Sequence, residues 1–367
     1  MSSINEPSGP HARSLQHHLS RRALGVGGAA LAAAFASTRV GTLAAAQATP
    51  GAAATPASAA VPTWDEIDRQ LAAIAPTTAL LAAELKDGKI EPVHALNADE
   101  VLPIGSNFKL WILGTLAMQV EAGTLEWEQP VEIQERYISV PGGDLRYVKP
   151  GTTFTLRYLA ERMIQKSDNT ATDHMLFLAG RENVEEAMTT MGVGDPARNI
   201  PLLSTRELAM LKFAVPKEKV DAYVAASVEE RRRILKEEID TLPYSALSNL
   251  DQTRPIEIDR VEWFASRDDL AHTMSWLLEA SQKPGLRPVT EIMALETPVP
   301  FDGKTWPYVG YKGGSELGVL STTWLLQRQD DRDFFYSVGF QNPDGAVDPQ
   351  DAIPVLEAGR DRLAQTP

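Results

Sequence analysis

The sequence contains no cysteine. That excludes disulfides, thiolate zinc sites, cysteine nucleophiles and a lipid-modified cysteine at an export cleavage site. Histidine is scarce too. After residue 48 only His94, His174 and His272 occur, far apart and without metal-ligand spacing. No metal and no cofactor are expected. Beyond the N-terminal region no stretch is long and apolar enough to span a bilayer, so no transmembrane segment is expected in the mature chain. Positive charge is in deficit. The net charge is −14; residues 1–48 carry four Arg and one Glu (+3), which leaves about −17 on the remainder. An acidic body repels phosphate backbones, so no nucleic-acid partner is expected, and the charge reads as a solubility device.

What is present begins with an address. Residues 20–24 read Ser-Arg-Arg-Ala-Leu, an apolar Gly/Ala/Leu run follows to about Val40, and Ala46-Gln47-Ala48 offers a small-x-small cleavage site. A paired arginine before a weakly apolar run predicts a twin-arginine export signal over residues 1–48, with an ordinary secretory signal as the alternative. The expected location is periplasmic or extracellular. Residues 49–62, nearly all Ala, Pro, Thr, Ser and Gly, read as a disordered linker.

Periodicity organises the rest. Ile67, Leu71 and Ile74 share one face of a helix over 64–75. Residues 78–86 and 90–97 read as strands joined by the turn Asp87-Gly88; 307–312, 317–327 and 333–341 read as three more, followed by a helix over about 347–364. Between them lies a long helical middle. A sheet interrupted by a helical insertion is the economical arrangement: residues 63–105 and 286–367 form an α/β lobe around one five-stranded antiparallel sheet, residues 106–285 form an all-helical lobe, and a cleft lies at their boundary. Within the middle, a charged insertion at about 216–260 reads as a solvated helical segment held by pairs such as Glu229 with Arg233, or as a lid over the cleft. A monomer is expected.

Three short motifs carry chemistry. The first is Ser106-Asn107-Phe108-Lys109. From Val101 to Val120 the only charged residue is Lys109, on a helix that is apolar nearly all round. Burial lowers a lysine pKa and makes its amine a usable base. Serine and lysine at i and i+3 share one helical face, with the serine at the helix N-terminus where the dipole favours negative charge. The ordinary alternative is an N-cap serine followed by a snorkelling lysine. The second motif, Ser167-Asp168-Asn169, falls between two helices, where a hydroxyl can relay a proton and an amide can hold a substrate; caps and turns use the same residues. The third, Lys312-Gly313-Gly314-Ser315, is expected between a short aromatic strand and the strand from Leu317. Its glycines, Gly314 included, permit close backbone approach to a ligand, and the N–H of Ser315 can join that of Ser106 as an oxyanion hole. A glycine hairpin turn with an exposed lysine is the alternative.

In this order the three motifs resemble those of class A β-lactamases and penicillin-binding proteins. The resemblance covers about residues 64–364. It is sharpest from Pro141 to Thr172, PGGDLRYVKPGTTFTLRYLAERMIQKSDNTAT. It implies a two-lobed β-lactamase-like fold and a serine hydrolase. By resemblance Ser106 is the acylated nucleophile and Lys109 its base. Ser167 shuttles the proton, Asn169 orients Lys109 and substrate, and Lys312 binds a substrate carboxylate. The implied substrate is a β-lactam, an ester or a peptide. Two departures stand out. Gly313 replaces the usual Thr or Ser, a hydroxyl that Ser315 would have to supply. The deacylating glutamate of class A enzymes is also missing: the segment Gly192–Ile200 offers only Asp195, and Glu207 reads as part of a capping box with Ser204. Acylation is therefore implied more firmly than efficient β-lactam turnover. An esterase or D-alanyl peptidase, and a non-catalytic penicillin-binding-like protein, remain as competing readings.

Overall fold

The computed structural model describes residues 60–367, apart from 249, 252, 295 and 296. The export segment and all but the end of the linker lie outside these residues. The chain opens with helix α1 (Trp64–Ile74), whose Thr63 and Glu66 form a reciprocal capping box, and which buries Ile67 and Leu71. Strands β1 (Thr77–Lys86) and β2 (Lys89–Leu96) form a hairpin. The short strand β3 (Leu102–Pro103) leads to a 3-10 turn, Gly105–Phe108, and the central helix α2 (Lys109–Glu121). Strands β4 (Pro130–Glu132) and β5 (Thr153–Thr155) pair and precede α3 (Leu156–Gln165), α4 (Asn169–Ala179) and α5 (Arg181–Thr190).

Next come α6 (Thr205–Phe213), α7 (Lys217–Ala225) and α8 (Val228–Ile234), the last running into a π-helical turn, Leu235–Ile239. Strand β6 (Phe264–Ala265) pairs with β3. Helices α9 (Arg267–Ser281) and α10 (Pro288–Met293) follow. The chain ends with β7 (Tyr308–Glu316), β8 (Val319–Gln327), β9 (Asp333–Gln341) and α11 (Pro349–Ala364).

The five long strands make one antiparallel sheet in the order β2-β1-β9-β8-β7, as expected, so the first and last segments of the chain share it. Burial explains the order. β8 and β9 are buried along almost their whole length and lie inside the sheet; β2 is largely exposed and lies at an edge. On the outer face α1 and α11 cover a core containing Trp324, Tyr336 and Phe340. The inner face packs on the helices through α9, which contacts β1 and β9. Helix α2 runs through the helical core; Lys109 to Ala117 are all buried, so its apolar circumference is used on every side.

The middle of the chain is not purely helical. The two-stranded β4–β5 and β3–β6 ribbons interrupt it. The charged insertion also departs from expectation in detail. Arg233 meets Glu230, Glu237 and Glu238 rather than Glu229. The π-helical turn widens the spacing after α8, while Glu229 at the helix start turns to Ser227.

Candidate active site

Ser106 sits in the 3-10 turn and not in the first turn of an α-helix, which begins at Lys109. Close packing imposes the tighter turn. Gly105 has φ +49°, and a Cβ on it would lie 3.1 Å from the Ser315 nitrogen. In a 3-10 turn, residues i and i+3 eclipse, so Ser106 and Lys109 still leave the chain on one side. The Ser106 hydroxyl makes no hydrogen bond among the described residues, to Lys109 or otherwise.

Lys109 is fully buried and donates to the Ser167 carbonyl (2.8 Å), the Ser167 Oγ (3.1 Å) and the Asn169 Oδ1 (2.8 Å). Ser167 has φ +51°, an uncommon conformation for serine, which turns its carbonyl and its hydroxyl toward the same ammonium. Asp168 is buried and anchors this junction. It caps α4 by accepting from the Ala171 N–H (2.9 Å) and takes the Leu145 N–H (3.0 Å) from the facing loop. A Cβ on Gly143 would fall 2.8 Å from the Asp168 Cα, so that loop needs its glycine. The Asn169 amide donates to the Pro141 carbonyl (2.5 Å), which fixes its oxygen toward Lys109.

The third motif reaches the same hydroxyl from across the cleft. Lys312 donates to Ser167 Oγ (3.1 Å) and to the Gly313 carbonyl (2.6 Å). It is buried, and Lys312-Gly313-Gly314-Ser315 lies within β7, not in the turn, which falls at Leu317-Gly318. Close approach demands the second glycine: a Cβ on Gly314 would fall on the Ile104 carbonyl and the Ser106 nitrogen, and 2.8 Å from the Gly105 carbonyl carbon. Strand β7 is thereby pressed against the backbone of Gly105 and Ser106, which brings the amides of Ser106 and Ser315 into one corner. All seven residues expected at the site from sequence are thus gathered on one cleft.

Electrostatics follow from burial. Desolvation lowers the Lys109 pKa to about 7, against weak support for its charge from Asp168 and Asp173. Lys312 is held well below the ordinary lysine value by burial and by the nearby Lys109. Neither ammonium is hydrogen-bonded to a carboxylate. The cleft therefore combines an amine that ionises near neutrality with a demand for an anion.

Behind it lies a residue the motif reading passed over. Asp173, one turn after Asn169, is fully buried, accepts from Thr205 N–H and Oγ1 (both 2.8 Å) and from the Arg206 N–H (3.0 Å), and burial raises its pKa to about 7. It ties the start of α6 to α4. Its spacing of four after Asn169 was the available signal.

Comparisons with known proteins bear on the fold that carries this geometry. The profile of a family described as the β-lactamase enzyme family matches residues 62–231. The chain has a β-lactamase-like fold. The fold of this β-lactamase-like chain is shared with a solved β-lactamase from Sphaerobacter thermophilus, at 19% identity and TM-score 0.57 over 83% of this chain and 99% of that one. A β-lactamase from Chitinophaga pinensis matches at 15% identity and TM-score 0.56, over 81% and 98%. A variant of PBP-A, solved as an acyl-enzyme with penicillin G, matches at 16% identity and TM-score 0.53, over 82% and 96%. No curated protein matches the sequence.

The site lacks a free carboxylate where the sequence offered candidates. Glu207 is fully buried, forms the capping box with Ser204 and binds Arg181 (2.6 Å). Asp195 caps a 3-10 turn through the Ala197 N–H (3.2 Å). Among the described residues no group of His, Asp and Glu has the arrangement of a metal site, and no helix is long and apolar enough to cross a membrane.

Proposed function

We propose that the protein is an exported acyl-transferring serine hydrolase of the class A type, acylated at Ser106 by a β-lactam or a related amide or ester. One observation carries this reading: Lys109 is fully buried, donates to Ser167 and Asn169 and has no carboxylate bonded to it, so burial pushes its pKa down to about 7. Its neutral amine takes the Ser106 proton while Ser106 Oγ bonds to the substrate carbonyl carbon. The backbone N–H groups of Ser106 and Ser315 hold the resulting oxyanion. The carbon–nitrogen or carbon–oxygen bond then breaks, and the leaving atom receives its proton from Lys109 by way of the Ser167 hydroxyl. Lys312 attracts an anionic group of the substrate. Export rests on Arg21-Arg22 and the apolar run behind them.

With Glu207 and Asp195 both engaged elsewhere, the acyl-enzyme lacks a dedicated carboxylate to activate water, so its hydrolysis is slow. That same engagement favours a second reading, an esterase or D-alanyl peptidase in which Lys109 serves both half-reactions. Intact mass over time, with a penicillin and a cephalosporin, tests the proposal. A drug-sized adduct that forms and decays, absent in Ser106→Ala, is the β-lactamase cycle; one that persists for hours favours the second reading. No adduct with any β-lactam or activated ester sinks both.

A further inference from the structure

Gly313 sits between the two ends of a pincer. On one side of β7 the Lys312 ammonium reaches the Gly313 carbonyl at 2.6 Å. On the other, Tyr311 lies along the strand across Gly313: a Cβ there would fall on the Tyr311 hydroxyl and 2.8 Å from its Cζ. Residues two apart in a strand share a face, so the phenol occupies the space that a side chain at position 313 would use. Gly313 is therefore a glycine because Tyr311 fills its place.

The ring is held firmly. It packs on Trp324, with centroids 5.2 Å apart, in the outer core. Its hydroxyl is not. It makes no hydrogen bond among the described residues, and although the group is deeply buried its oxygen is not fully sealed from solvent. Tyrosine hydroxyls on buried rings ordinarily find a partner. β7 is the edge strand of the sheet, and Lys312 has a third N–H beyond the two it uses. The edge strand thus carries two buried donors, the Tyr311 phenol and the Lys312 side chain, that both end beside Gly313. Burial raises the phenol's pKa, which keeps it a donor.

We infer that Tyr311 is a specificity-determining contact of this site: its phenol O–H and the Lys312 ammonium together bind one substrate carboxylate at the open edge of β7, beside Gly313. The inference rests on the reading of the Ser106 cleft as a site for carboxylate-bearing acyl substrates. It assigns to Tyr311 the hydroxyl that Gly313 lacks, and not to Ser315.

The test separates binding from chemistry. In Ser106→Ala, the affinities of benzylpenicillin and of its methyl ester are measured by calorimetry, with and without Tyr311→Phe. Phenylalanine keeps the ring on Trp324, so the fold is retained. A hydrogen bond to a charged group predicts about 10-fold or more weaker binding of the acid, with the ester unchanged. In the pair Tyr311→Ala with Gly313→Thr, the threonine hydroxyl has room and restores the preference for acid over ester, whereas Gly313→Thr alone displaces the ring and loses it. Equal effects of Tyr311→Phe on acid and ester, or none on either, overturn the inference while a Ser106 adduct in the wild-type protein leaves the parent reading standing. Absence of both adduct and binding removes the two together.

Discussion

Three lysines are buried among the described residues, and two regions of the molecule treat them in opposite ways. In the cleft, Lys109 and Lys312 share one serine hydroxyl and are bonded to no carboxylate; burial lowers both pKa values. On α6, Lys212 is just as enclosed but donates to Glu262 (3.0 Å) and Glu316 (2.5 Å). Burial again pushes its pKa down, yet the two carboxylates outweigh it and the net shift is upward. Glu316, crowded by burial and by Glu262, is held well above the ordinary carboxyl value, with Lys212 pulling the other way. The difference teaches what separates a structural lysine from a chemical one. Both are buried; only the structural one is neutralised by its own protein. Lys212, on α6, ties the end of β7 to Glu262, whereas the cleft lysines wait for a proton or an anion from the ligand.

The comparison is breakable by experiment. The largest effect is expected from Lys109→Met: the acylation rate, followed by stopped-flow with a chromogenic cephalosporin, falls by about 10²–10⁴. Its urea-unfolding free energy stays within about 1.5 kcal/mol of wild type, because lost hydrogen bonds are offset by relief of an unpaired buried charge. Comparable destabilisation by Lys109→Met and Lys212→Met would erase the distinction. Lys212→Met is expected to cost about 3–5 kcal/mol in the same measurement, since Glu262 and Glu316 are left facing each other. Its acylation rate per folded molecule is retained.

The third prediction concerns pH. Acylation should rise through about pH 7 as Lys109 loses its proton. Stability carries the matching signature. Lys109 titrates near 7 in the folded chain and near 10.5 when unfolded. Between those values the unfolded state binds the extra proton, so stability rises with pH across the window. Lys109→Met should flatten that part of the slope; an unchanged slope would mean that Lys109 keeps its proton at neutral pH.

Much of the fold was legible in local pattern. β9 was read to the residue, because a buried strand bounded by charged turns has clear limits. The site motifs were legible as residue types in order. Their geometry was not. The glycines at 313 and 314 suggested a hairpin, but their reasons are tertiary: the Tyr311 ring over one, and the backbone of Ile104 to Ser106 against the other. Glu229 and Arg233 obeyed the helical spacing rule, yet the arginine pairs with Glu230, Glu237 and Glu238 while Glu229 turns to Ser227. Pairing on an exposed helix depends on rotamers and on the turn that follows, which spacing does not encode.

By itself the sequence determined the classes of chemistry available, the absence of thiol chemistry, and the lone lysine in an apolar helix that made Ser106-x-x-Lys109 worth weighing. Tertiary structure alone decided which lysine is compensated. A counterion such as Glu316 lies more than a hundred residues from Lys212, and Lys109 meets Ser167 and Asn169 from another helix junction. Burial follows from composition along one segment, but the charge that burial leaves unpaired depends on what the rest of the chain brings alongside it.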